Sequence, residues 1–128
     1  MREDNIALLK RGYEAFKNGD LDTIREMMAE DGVWRTGGYT PFKPEYKGFE
    51  AVTEYLTILV QLTDGTFKSE PISFLADDER VMVFAHVTAT RLGRLLDTYC
   101  VHIYDIHDGK VFEVTEFLSE PSKMSFWE

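Results

Sequence analysis

The sequence is poor in the residues that staple a fold covalently or with metal. Its single cysteine, Cys100, leaves no partner for a disulfide within the chain, and a reducing, cytoplasmic compartment is the simplest expectation. Only three histidines are present. No His, Cys and Asp spacing resembles a metal site, since CxxC and HExxH are both missing. G-x-S-x-G and the P-loop are missing too, and no cofactor is expected. Basic residues are scarce: 14 Lys and Arg stand against 23 Asp and Glu, for a net charge of -9. Such a surface repels phosphate, which argues against nucleic acid and against anionic membranes as partners. No apolar run approaches the roughly 20 residues that span a bilayer. The opening MREDNIALLKRGYEAF is too charged for a signal peptide. Internal repeats, low-complexity tracts and linkers are absent.

What is there is enough apolar material for a core. Of 128 residues, 44% are apolar and 13% aromatic, which suits one compact domain over residues 1–128. Ile6, Leu9, Tyr13 and Phe16 recur at spacings of three and four, the stripe of an amphipathic helix. Asn18-Gly19 ends it and Asp20 caps the next, whose stripe is Leu21, Ile24, Met27 and Met28, closed by Asp31-Gly32. Val33-Trp34-Arg35 reads as a short strand. Thr36 to Lys47, with Gly37, Gly38, Pro41 and Pro44, reads as loop. Gly48 opens a third helix with Val52, Tyr55, Leu56, Leu59 and Leu62 on its buried face, and Asp64-Gly65 stops it.

After that the apolar period drops from about 3.6 to 2. Strands are expected at 67–76, 80–91, 94–106 and 110–118, separated by Asp77-Asp78, Leu92-Gly93 and Asp108-Gly109. Helices followed by an antiparallel meander make an α+β fold. In 80–91 both faces carry apolar groups: Val81, Val83, Ala85, Val87 and Ala89 on one, Met82, Phe84 and His86 on the other. Helices can cover one face only, so a second copy of the chain is the expected cover for the other.

AFKNGDLDTIREMMAEDGVW (15–34), YKGFEAVTEYL (46–56), HDGKV (107–111) and VFEVTEFL (111–118) resemble, in order and spacing, the SnoaL-like branch of the nuclear transport factor 2-like superfamily. That branch is related to ketosteroid isomerases, limonene epoxide hydrolases and polyketide cyclases. The resemblance implies a cystatin-like, cone-shaped barrel: a curved, mostly antiparallel sheet wrapped around three N-terminal helices, with an apolar pocket at its mouth. It also implies a homodimer through the convex face. The isomerase positions for tyrosine, aspartate and oxyanion-hole aspartate fall on Gly12, Thr36 and His102, so none is kept, and Tyr13 sits at another angle of the helix from Gly12. The cyclases place a histidine on the penultimate strand and an acid on the last. His102 and Glu116 occupy those positions.

The residues themselves leave this pair conditional on one turn. A two-residue loop pairs His107 with Lys110, so that His102 opposes Thr115 and Glu116 falls on the far face. A three-residue loop, which the resemblance favours, pairs Ile106 with Lys110 and makes Glu116 the diagonal neighbour of His102. Sharing a face in an apolar pocket, Glu116 would serve as proton acceptor and His102 would orient it or donate to an enolate oxygen. The plainer alternative is a satisfied buried polar pair, bonded to each other or to Tyr55 or Trp34. Tyr13, Trp34, Tyr55, Tyr104, Val114 and Leu118 are the expected pocket lining. His86 is expected at an interface or in solvent, His107 in solvent, and Cys100 as a small apolar filler without a base beside it. Met124, Phe126 and Trp127 are expected to dock over the mouth or at a dimer seam. The expected ligand is a small, hydrophobic, carbonyl-bearing molecule, transformed by isomerase- or cyclase-type acid–base chemistry; a non-catalytic ligand-holding or dimerisation module is the alternative.

Overall fold

The computed structural model describes residues 2–39 and 41–128. Met1 and Thr40, the latter within the expected loop, lie outside the described residues. Helix α1 (Arg2–Lys17) carries Glu3 and Asp4 in its first turn and Lys17 in its last, charges that complement the helix dipole. It ends at Gly19, and the Asp20 carboxylate then accepts from the Thr23 N–H at 3.1 Å to start α2 (Leu21–Met27). Strand β1 (Met28–Arg35) follows without a loop. Met28 therefore belongs to a strand, not to the helix stripe that its spacing suggested, and the strand is longer than the three residues expected.

The span 36–47 is not all loop. Glu45–Lys47 form β2, an antiparallel edge pairing Tyr46 with Trp34. The pairing turns Tyr46 inward onto Tyr55, ring centroids 4.7 Å apart. Helix α3 (Phe49–Leu62) follows, then β3 (Lys68–Ala76), β4 (Arg80–Arg91), β5 (Arg94–His107), β6 (Lys110–Leu118) and a closing 3-10 turn, η1 (Pro121–Trp127).

The six strands order as β2-β1-β6-β5-β4-β3 in one curved, unclosed sheet. The β3 to β6 run is an antiparallel meander, while β1 joins β6 in parallel, so the sheet is mixed. Helix α1 packs on β3 and β4, and α3 on β1 and β2. The concave face holds the core. Along β4, Val81, Val83, Ala85, Val87 and Ala89 are buried in strict alternation, while Met82 and Phe84 remain about two-fifths exposed, at 41% and 39%. Tyr99 of β5 stacks between Phe84 and His86 on that convex face, with ring centroids at 5.4 and 4.9 Å. Met124, Phe126 and Trp127 of η1 are buried, and Trp127 packs on Phe42 at 5.0 Å. Among the described residues no helix is long and apolar enough to cross a membrane.

Candidate active site

The site is built by the β5–β6 hairpin. Asp108 and Gly109 both adopt left-handed φ angles of 51° and 73°, the type I′ geometry that matches the twist of the flanking strands. Glycine reaches this region without a Cβ penalty, and aspartate tolerates it better than most residues. His107 therefore pairs with Lys110 across a two-residue loop. The three-residue loop favoured from the sequence is incorrect. By itself the two-residue loop would send Glu116 to the convex face. It does not, because β6 carries one extra residue immediately afterwards: Ile106 pairs with Val111, but Asp105 pairs with Glu113, leaving Phe112 as a bulge. The two-residue loop already buries Val111 beside Ile106, and Phe112 at the bulge points outward, the reverse of the three-residue register. The bulge also sets Glu116 directly opposite His102, not diagonal to it.

The two side chains meet. His102 Nε2 lies 2.9 Å from Glu116 Oε2, with side-chain exposures of 8% and 16%. The other ring nitrogen, Nδ1, lies 3.6 Å from Cys100 Sγ. Cys100 thus has a base beside it, contrary to the sequence reading. The signal was its i, i+2 spacing, which puts two residues on one face of a strand. Burial disfavours a charged imidazole here, but it is outweighed. Interaction with Tyr13 and hydrogen bonds to Cys100 and Glu116 leave the His102 pKa well above the ordinary histidine value. Burial raises the Tyr13 phenol, and the Glu116 carboxyl favours the protonated His102 ring through their hydrogen bond. Both imidazolium N–H groups are then donors, one to the carboxylate and one to sulfur.

Aromatic rings enclose the pair. Trp34 meets the His102 ring edge-on at 5.5 Å and Tyr55 at 5.8 Å. The Tyr13 and Tyr104 hydroxyls share one hydrogen bond of 2.9 Å, so one of their two protons is free to face a ligand. Burial pushes the Tyr55 and Tyr104 phenols well above their usual range, which keeps both neutral. These groups line a cavity of about 110 Å³ whose walls are otherwise almost wholly apolar. Tyr13, Trp34, Tyr55, Tyr104, Val114, His102 and Glu116 all border it, and Leu118 does not. Leu118 lines a smaller space of about 40 Å³ between Phe42 and Trp127, which Glu116 also borders.

Gly12 borders the main cavity as well. A Cβ there would lie 2.8 Å from the Met27 methyl, so this wall has no room for a larger residue unless Met27 moves. Ser69, another wall residue, went unnoticed in the sequence because a serine in a strand has no distinguishing pattern. His86 sits on the convex face with Nε2 2.6 Å from Asp97 Oδ1, and His107 is exposed at the hairpin end. Among the described residues no group of three His, Cys, Asp or Glu side chains is arranged to hold a metal ion.

Residues 9–114 match the family model of the SnoaL-like domain, a span that includes His102 and stops just before Glu116. An uncharacterized protein of Mycobacterium tuberculosis is 25% identical over 125 residues, covering 96% of this chain and 95% of its own. Among solved structures, Bal32a from a soil-derived mobile gene cassette superposes with a TM-score of 0.96 at 31% identity, covering 99% of this chain and 98% of that one. A Jannaschia protein assigned to the SnoaL-like polyketide cyclases superposes with a TM-score of 0.81 at 17% identity, covering 98% and 92%, and so shares the fold.

Proposed function

Because the chain belongs to the SnoaL-like domain family, we propose that it binds an apolar, carbonyl-bearing small molecule in the cavity and transforms it by cofactor-free acid–base chemistry of the isomerase or cyclase kind. The observation that carries this reading is the 2.9 Å contact of His102 with Glu116 at the wall of an almost wholly apolar cavity. A hydrogen on the carbon beside a carbonyl is acidified by the enolate it leaves behind. Glu116 takes that proton through the carboxylate oxygen not bonded to His102. The C–H electron pair becomes the enolate double bond, and the carbonyl pair moves to oxygen. Returning the proton to another carbon completes an isomerisation. Attack of the enolate carbon on a second carbonyl forms a ring bond, and the new alkoxide recovers the proton from Glu116. His102, with both nitrogens occupied, is a positioning residue: it fixes the carboxylate and stabilises its charge.

A second reading is supported by the tail. Phe42 and Trp127 meet at 5.0 Å over the smaller space beside Tyr55, and such cover suits a module that holds a ligand without turning it over. One experiment separates the two. A panel of steroid-like and aromatic polyketide-like ketones is screened by thermal shift, and each binder is incubated in D2O with exchange at the carbon next to the carbonyl followed by NMR. Catalysis requires exchange in the wild type that falls at least about 100-fold in Glu116→Gln. Binding with no exchange supports the holding module, and no binding refutes both.

The protein is also proposed to be a homodimer, with a second copy covering Met82, Phe84, Tyr99 and Phe117 on the convex face. Sedimentation equilibrium should give twice the chain mass, and Phe84→Glu should halve it. A cytoplasmic location is in keeping with the buried free thiol of Cys100.

A further inference from the structure

The empty space around Glu116 comes in two parts. The larger cavity of about 110 Å³ and the smaller one of about 40 Å³ are bordered in common by Tyr55, Leu59, Phe67 and Glu116. The partition between them is therefore one side chain thick. Tyr55 has Trp34 of the larger wall at 5.8 Å and Phe42 of the smaller wall at 5.4 Å. Phe67 has Phe16 of the larger wall and Trp127 of the smaller wall, both at 6.1 Å. Glu116 is the one carboxyl in this partition, so a carbon held against it has a space on either side.

The volumes bound what fits. A cavity of about 150 Å³ takes a benzene molecule, and a single water needs roughly 10–15 Å³. The larger space therefore admits about one six-membered ring and no more, and the smaller admits roughly three further heavy atoms. Trp127 borders the smaller space and not the larger. It is buried and packs on Phe42 and Phe126, each at 5.0 Å. Its 3-10 turn is tied to β5 by the Arg94 guanidinium, which donates to the backbone oxygens of Ser125 and Glu128 at 3.2 Å. That wall is fixed from both sides, so it limits length.

We propose that the ligand is a single-ring ketone: the ring fills the larger space, a short acyl arm enters the smaller one beside Glu116, and Trp127 sets how long that arm can be. This rests on the cavity being a ligand site, as proposed above. It adds a size class and puts the acidic carbon between the ring and the carbonyl, at the partition. Of the ketones named above, single-ring aromatic ones should bind and steroid-like ones should not.

Four probes test it by calorimetry: toluene, benzyl methyl ketone, benzyl butyl ketone and naphthylmethyl methyl ketone. In the wild type the butyl and naphthyl ketones should each bind at least about tenfold more weakly than benzyl methyl ketone, the size expected when extra carbons are forced into filled space. With room to spare, the added carbons would strengthen binding instead. Trp127→Ala should bring the butyl ketone to within about threefold of the methyl ketone and leave the naphthyl penalty in place. In the wild type, the Trp127 indole N–H resonance should move with benzyl methyl ketone and not with toluene, a readout that needs no variant to fold. A butyl ketone that binds the wild type as well as the methyl ketone, or an indole signal that ignores the methyl ketone, overturns the two-part assignment and leaves the ligand site standing. A naphthyl ketone bound as tightly as the benzyl one overturns the single-ring class, and a butyl penalty that persists in Trp127→Ala overturns the role of Trp127. Failure of the wild type to bind any of the four overturns the ligand site and this assignment together.

Discussion

The sheet carries a histidine–carboxylate pair on each of its faces. On the concave face His102 and Glu116 meet at 2.9 Å with exposures of 8% and 16%; on the convex face His86 and Asp97 meet at 2.6 Å with exposures of 33% and 57%. Residue types and contact distance are nearly the same, and the surroundings are not. In the isolated chain water reaches the outer pair, raises the local dielectric and screens it, so its contribution there is expected to be on the order of 0–1 kcal/mol. Aromatic walls exclude water from the inner pair, so either charge left alone there is costly. Strand position decides which pair sees which medium, and the Phe112 bulge puts Glu116 on the inner side. The proposed proton chemistry is assigned to the inner face, where removing one partner leaves the other buried and unpaired.

The largest effect should come from breaking the inner pair and leaving the outer one intact. Glu116→Leu strands His102 in an apolar site and should cost about 3–5 kcal/mol in urea unfolding near pH 6. The double variant His102→Leu/Glu116→Leu should recover most of that, since two apolar side chains need no compensation. The comparison fails if Asp97→Leu costs as much, measured in the Phe84→Glu background so that no second copy covers the outer face.

A smaller effect is the pH dependence of stability. Folded His102 holds its proton more tightly than the unfolded chain, whose histidines titrate near about 6.5. The stabilisation is therefore complete below about pH 6.5 and is lost as pH rises through the higher folded value. Thermal melts from pH 6 to 9 should show Tm falling across this window in the wild type and falling less in His102→Gln. The smallest effect belongs to the outer pair. In the same monomeric background, Asp97→Asn should change stability by less than about 1 kcal/mol, and salt should erase even that as the Debye length shrinks.

The periodicities carried the helices and the meander because each buried stripe has to match the period of its element. Tyr46 shows what they could not carry. Three residues of β2 are too few to display alternation, and only their pairing with Val33, Trp34 and Arg35 of β1 defines the strand. Met28 shows the same at a boundary, since the last turn of a helix and the first residue of a buried strand both call for an apolar residue. In the site, His102 and Glu116 stood out as polar residues in apolar runs, but whether they share a face depended on Phe112. A bulge leaves little trace in a sequence because an extra phenylalanine reads as one more strand residue. Ser69 left no trace either, because a serine in a strand carries no pattern that separates a cavity wall from any other strand position.

The central claim is that His102 and Glu116 form a buried ion pair at neutral pH. Nitrogen-15 NMR of the imidazoles, recorded from pH 5 to 10, tests it most directly. The account predicts that both His102 nitrogens remain protonated at pH 7.5, that the ring titrates well above 6.5, and that Glu116→Gln lowers that midpoint. A His102 ring that is neutral at pH 7.5 in the wild type, or one whose titration ignores Glu116→Gln, would contradict it.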